Sequence, residues 1–291
     1  VSRNGRTALE ATLEERRAIW RQRLADALSA DGPLDIVEAA LLVAGEEYPD
    51  IELARERARL AAMGKEALRR VGDLDNPFAR LDGVRVYLFE ELGFRGNGDD
   101  YEDPRNSYLN QVLDRRTGIP LTLSIVFMEV ARAVGFETRG VGLPGHFVVR
   151  VDYEGRTILV DPFHGGQVIT EEDCRQLVTR STGRPSLFRR DALGGSPPEA
   201  MLVRLLRNLK RVYLAQEDFT RALSIVERQL LITPDDAGEI RDRGILMAHM
   251  GKPGAAVADL EAYLALLPGA PDAESVKGRL AWLRRKIAET D

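Results

Sequence analysis

The feature that most restricts how this chain can fold is a repeat near its end. Ala222, Leu230 and Pro234 recur as Ala256, Leu264 and Pro268, each pair 34 residues apart. That period, with a small residue inside the second helix and a proline at its end, marks a helical-hairpin repeat. Alanine lets the two helices of a unit approach closely, and proline, lacking an N–H, ends the second one. Residues 196–291 are therefore predicted to form tetratricopeptide-like, all-α repeats closed by a helix over Ala273–Ala288. Two units and one helix are too few for a free-standing solenoid, so they are expected to dock on the middle of the chain.

Upstream, residues 1–104 read as a helical region packing on a central core. Leu9–Leu28, a segment opened by Pro33-Leu34-Asp35 and running through Gly45, Glu52–Arg70, and a stretch from Asn76-Pro77 to Gly93 all carry helix formers or helix starts. The core, residues 105–195, changes period. Asn106–Arg116 reads as helix, Gly118-Ile119-Pro120 punctuates, and Leu121–Val134 is an apolar helix stopped by Gly135. Short β-like runs follow at Thr138–Gly142, His146–Asp152, Arg156–Asp161 and Gln167–Thr170. Gly183–Pro198, rich in Gly, Ser and Pro, reads as a linker. The fold class is α+β: helices, then a small antiparallel sheet, then all-α repeats.

The strand pattern brings chemistry together. Glu154-Gly155 supplies a turn, and if Tyr153 faces Arg156 across it, Val148 lies opposite Asp161. His146 then shares a face with Asp161, one diagonal step and about 7–8 Å away between backbone positions. A one-residue slip would send the two to opposite faces. An aspartate on one imidazole nitrogen fixes the tautomer and leaves the other nitrogen to take a proton. Such a pair serves a nucleophile at a helix N-terminus, where the dipole favours negative charge. The helix after Gly118-Ile119-Pro120 is the one on offer.

Glycine at a helix start, Ala131-Arg132-Ala133-Val134-Gly135 at its end, a strand, Gly145-His146 and Val160-Asp161-Pro162 together resemble the transglutaminase-like fold, a relative of papain-like proteases. The longer motifs Ala39-Ala40-Leu41-Leu42, Glu46-Glu47-Tyr48-Pro49, Asp103-Pro104-Arg105-Asn106-Ser107-Tyr108-Leu109-Asn110, Arg116 to Ser124, Val141 to Phe147 and Asp161 to Gly166 resemble a bacterial family of transglutaminase-like, TPR-domain-containing proteins. The match spans about residues 35–270. The transglutaminase-like fold implies a cysteine two residues after Gly118. Here that position is Pro120, and the bacterial family carries proline there too.

Proline offers neither a nucleophile nor an N–H, which excludes cysteine-type acyl transfer at this position. Ser124 lies one turn further on, about 6 Å along the axis, and Thr122 about 200° around from Pro120. Both are weak nucleophile candidates, and both hydroxyls are expected instead to bond helix carbonyls or cap the first turn. Cys174, the sole cysteine, follows three acidic residues and is expected to serve packing. Asn106, Asn110, Pro120 and His164 are candidate ligand-binding residues. The resemblance implies that Glu46-Glu47 and Asn106 face the cleft, and helix-terminal surface positions explain them equally well. The loop Asn97–Asp103 spaces oxygen ligands as a calcium loop does, but has Glu102 where glycine is needed and Tyr108 where glutamate is needed. No metal site and no cofactor are expected.

Charges of both signs are interleaved to a net of −5, so nothing invites nucleic acid or an anionic membrane. The longest apolar run, near Ile119–Phe136, is broken by Glu129 and Arg132, and the first residues show no apolar leader. A cytoplasmic protein is the expectation. Two functions remain open. One is a non-catalytic, regulatory module that holds a peptide or small ligand at His146 and Asp161 and recruits a protein or peptide partner through residues 196–291. The other is an amide or ester hydrolase or acyltransferase using His146, Asp161 and a hydroxyl or water.

Overall fold

The structure, a computed structural model, describes residues 3–289, with side chains from Glu14 onward. It divides into two compact units, residues 1–205 and 206–291.

The first unit begins with α1 (Arg3–Ser29) and α2 (Ile36–Glu47). Asp35 caps α2 by accepting the N–H groups of Val37 at 3.0 Å and Glu38 at 3.1 Å. Nearly all of α2 is buried, because its residues are apolar or small all round. Gly45 makes room for α1: a Cβ there would come within 2.3 Å of the Trp20 ring. Next come α3 (Leu53–Val71) and α4 (Pro77–Arg85), the latter running into a π-helical turn over Val86–Glu91. Helix α3 packs on the central helix, with Gly64 set against Ala133. Glu46 is buried and its carboxylate takes an ion pair from Arg21 at 2.6 Å.

The stretch Asn106–Arg116 is not one helix. A 3-10 turn at Pro104–Asn106 precedes α5 (Leu109–Arg115), and Arg116 stops it in the left-handed region. Two short parallel strands, β1 (Arg95–Gly96) and β2 (Thr117–Gly118), flank this segment and lead into α6 (Pro120–Ala133). The main sheet is antiparallel, in the order β3 (Glu137–Leu143), β4 (His146–Tyr153), β5 (Arg156–Asp161) and β6 (Gln167–Ile169). Tyr153 pairs with Arg156 across Glu154-Gly155, both at positive φ as a tight hairpin turn requires.

One face of the sheet meets α6, where the Thr138 hydroxyl reaches Met128 O at 3.5 Å. The other face buries Val141, Leu143, Val148 and Leu159 against Cys174 and Val178 of α7 (Glu171–Thr182). The segment read as a linker is instead strapped to β3. Ser196 N donates to Gly140 O at 2.7 Å, and Phe188 and Leu193 pack on the core beside α7. Its Gly and Pro residues shape 3-10 turns, while its few apolar side chains supply the anchor.

The second unit begins inside α8 (Pro198–Ala215), after Leu205. It continues with α9 (Phe219–Ile232), α10 (Ala237–His249), α11 (Pro253–Leu266) and α12 (Ala273–Ala288). Ala222 on α9 and Ala256 on α11 are fully buried at the equivalent places of the repeat. His249 stacks on Phe219 with ring centroids 4.9 Å apart. No helix among the described residues is long and apolar enough to cross a membrane.

Candidate functional site

The site is assembled from two turns. Pro144-Gly145 joins β3 to β4, with Gly145 at φ +75°, as the third position of a type II turn requires. A Cβ at Gly145 would also strike Ser181 of α7 at 2.5 Å, so this corner is closed to other residues on two counts. His146 follows as the first residue of β4. Asp161 ends β5 and caps the 3-10 turn Pro162–His164 through Oδ1, which accepts Phe163 N at 3.1 Å and His164 N at 3.4 Å.

The other oxygen of Asp161 is shared. Oδ2 lies 2.9 Å from Nε2 of His146 and 2.7 Å from Nδ1 of His164. Burial alone would raise the Asp161 pKa, but the hydrogen bonds and charges of the two imidazoles outweigh it and hold the carboxyl well below its usual range. The hydrogen bond to that carboxylate raises the His164 pKa against the opposing effect of burial. With Asp161 ionised, both facing nitrogens carry protons, which leaves Nδ1 of His146 and Nε2 of His164 as the free positions when the rings are neutral. Nδ1 of His146 has no hydrogen-bond partner among the described residues. The His146 and Asp161 side chains are buried, whereas that of His164 is 51% exposed.

Residues that sequence patterning does not single out complete the surroundings. Phe163 sets its ring edge-on to His146 at 5.9 Å and to Tyr101 at 6.2 Å. Gly96 of β1 backs that ring so closely that a Cβ would come within 2.6 Å. Arg204 donates to Leu143 O at 2.8 Å and His146 O at 2.7 Å, and burial lowers its pKa. Only Phe163 carries a signal in the sequence, through its place between Asp161 and His164.

Helix α6 contributes less than its position promised. Pro120 is buried at its first turn. The Thr122 hydroxyl is committed to the backbone: it lies 2.8 Å from Asn106 O and 3.2 Å from Ile119 O, and accepts from Ile119 N at 3.1 Å. Thr122 is therefore a cap, not a free hydroxyl. Ser124 is fully buried, and its Oγ makes no hydrogen bond, to His146 or to any other described residue.

Asn106 is likewise enclosed. Its amide donates to Asp100 O at 2.8 Å and accepts from Asn97 at 3.1 Å, which orders the acidic loop from within. Asn110 is buried with Oδ1 unpartnered. The carboxylate of Asp103 is spent on Arg105 and Arg115, each at 2.9 Å, which leaves the loop short of a calcium ligand. Cys174 is fully buried, and burial, followed by the charges of Asp161, Asp173 and Glu171, pushes its thiol up to about 12.

The order of helix, strand hairpin and His/Asp pair now has an external counterpart. A family model described as the transglutaminase-like superfamily matches residues 54–207, more than half of the chain. The chain belongs to that superfamily. A tetratricopeptide repeat model matches residues 209–281. Among relatives of this transglutaminase-like protein, a UPF0162 protein of Xylella fastidiosa strain Temecula1 is 36% identical over 264 residues, covering 89% of this chain and 94% of that one. A UPF0162 protein of Vibrio cholerae is 29% identical over 246 residues, covering 84% and 90%. Human F-box only protein 21 is 37% identical over 106 residues, which are 34% of this chain and 17% of that protein.

Proposed function

We propose that this transglutaminase-like protein is a pseudoenzyme with a regulatory role, binding a peptide or small ligand at the His146–Asp161–His164 cluster instead of transferring acyl groups. One observation carries the reading. Where the superfamily's nucleophile would stand, the helix start presents Pro120, and the neighbouring Thr122 hydroxyl is bound to Asn106 O and the Ile119 backbone. A base without a nucleophile can still orient and hold a polar ligand, because His146 and His164 each keep a free nitrogen beside a buried negative charge.

Tetratricopeptide repeats generally mediate protein interactions. Recruitment of a protein or peptide partner by the repeat unit is part of the proposal, and half-exposed Trp282 on α12 is the kind of aromatic anchor such contacts use. A cytoplasmic setting is also part of it, in keeping with a single, free cysteine.

The rival reading, an amide or ester hydrolase, draws on the His146–Asp161 pair itself, which has the separation of a base and its orienting carboxylate. Active-site labelling separates the two. A fluorophosphonate and iodoacetamide should both leave the native protein unlabelled. Labelling that disappears in His146→Ala would replace the binding reading with the hydrolase.

A further inference from the structure

We propose that His146, Asp161 and His164 together bind one divalent transition-metal ion of the zinc class. The inference rests on reading this cluster as a binding site, and it names the ligand, against the expectation from the sequence that the chain holds no metal.

The three residues offer two imidazole nitrogens and one carboxylate oxygen, and one donor atom from each lies within 4.8 Å of the others. Two nitrogens with one oxygen is a donor set that suits zinc, cobalt or nickel. Calcium, which takes six to eight oxygen ligands, would be poorly served. The site is fixed on one side and open on the other. Asp161 is held by the Phe163 and His164 N–H groups, and the backbone of His146 by Arg204. The half-exposed His164 ring leaves a path for the ion and for the waters that would complete its coordination.

The contacts at 2.9 and 2.7 Å are hydrogen bonds, and the metal must open them. Zinc bonds of about 2.0–2.2 Å set tetrahedral ligand atoms about 3.4 Å apart. Each gap therefore grows by about half an ångström to somewhat more. Rotation of the exposed His164 ring opens its own contact, and the other requires a shift of about half an ångström within the buried His146–Asp161 pair. Proton accounting closes. A neutral ring frees its facing nitrogen when the proton moves to the other one, Nδ1 of His146 or Nε2 of His164. A protonated ring releases one proton to solvent. In return, the buried carboxylate gains a divalent cation beside it.

The test uses the full chain without a polyhistidine tag, stripped with EDTA and titrated calorimetrically with zinc chloride, with magnesium chloride as control. One zinc ion per chain is expected and no magnesium. His164→Ala, whose site is half exposed, should fold as shown by circular dichroism and weaken zinc binding by more than about 10-fold, since losing a ligand exceeds the 10–100-fold cost of losing an outer partner. Asp161→Asn should do the same, and His249→Ala should change nothing. Cobalt added in place of zinc should give the visible absorption of a four-coordinate site. Absence of saturable zinc binding, or binding equal in His164→Ala, overturns the inference. Acyl-probe labelling is read on metal-free protein, so a failed titration leaves the non-catalytic reading standing, and His146-dependent labelling would remove that reading by itself.

Discussion

Nε2 of His146 lies 2.9 Å from Oδ2 of Asp161, across a strand pair whose register is set at the far end by Tyr153 facing Arg156. The distance means that the buried carboxylate depends on the imidazole for its charge, and the imidazole on the carboxylate for its tautomer. Asp161→Asn keeps an oxygen to cap Phe163 and His164 but removes the charge that both rings share. A loss of about 2 kcal/mol in unfolding free energy is expected at neutral pH, the scale of a hydrogen bond to a charged group. Urea titrations should show it as a lower midpoint with an unchanged slope.

The two hydroxyls of α6 give opposite expectations. Thr122→Val removes a donor and acceptor that bridge Asn106 O and the Ile119 backbone, leaving those groups short of a partner. A cost of about 1–2 kcal/mol follows. Ser124→Ala removes a buried hydroxyl without a hydrogen bond, so stability should hold or rise slightly. Thermal melts of the two variants side by side decide the matter. A strong destabilisation by Ser124→Ala would show that its hydroxyl is bonded in solution.

How much of this was legible follows from the range of each contact. His146 and Asp161 could be paired from residues 146–161 alone, because side chains alternate with period two and Glu154-Gly155 fixes the turn. The helical hairpins were legible because their 34-residue spacing is written in the residues themselves. The Arg204 clamp on His146 O spans 58 positions and has no local pattern. Ser196 on β3 is similar: Gly and Pro nearby suggest a loop, while only packing decides whether a loop is strapped down. Thr122 had two readings in the sequence, cap or nucleophile, and it took the position of Asn106 O to choose between them.

Asp103 provides a pH-dependent prediction. Burial would raise its pKa, but the hydrogen bonds and charges of Arg105 and Arg115 outweigh it, so its folded-state pKa is lowered. A carboxyl lowered on folding stabilises the native state above its unfolded pKa, about 3.9, and loses that contribution as pH falls through the folded value. Asp103→Asn should therefore cost about 1–2 kcal/mol at pH 7, discounted for the exposed Arg105, and progressively less below about pH 4. Urea unfolding at a series of pH values measures this. A difference that grows on acidification would contradict the assignment.

Cys174 should be inert in the native protein. Its thiol is fully buried and pushed up to about 12, so almost no thiolate exists at pH 8. Ellman's reagent is expected to release nothing from the folded chain over minutes and one equivalent in guanidinium. A rapid native reaction would show that α7 opens away from the sheet.

Gly145 and Gly155 separate backbone strain from steric closure. Both sit in left-handed conformations, at φ +75° and +76°. Nothing lies within 4 Å of a Cβ built at Gly155, whereas one at Gly145 would meet Ser181 of α7 at 2.5 Å. Gly155→Ala should therefore cost only the left-handed penalty of about 1 kcal/mol. Gly145→Ala adds a clash with a short, backbone-bound side chain and should cost about 2–4 kcal/mol in all. Because Gly145 immediately precedes His146, relief of that clash must move either α7 or the imidazole. Gly145→Ala should thus weaken zinc binding as well as stability, while Gly155→Ala lowers stability alone. Calorimetric titration and urea unfolding of the same two samples read both quantities. Equal effects from the two alanines would mean that Ser181 does not wall this corner.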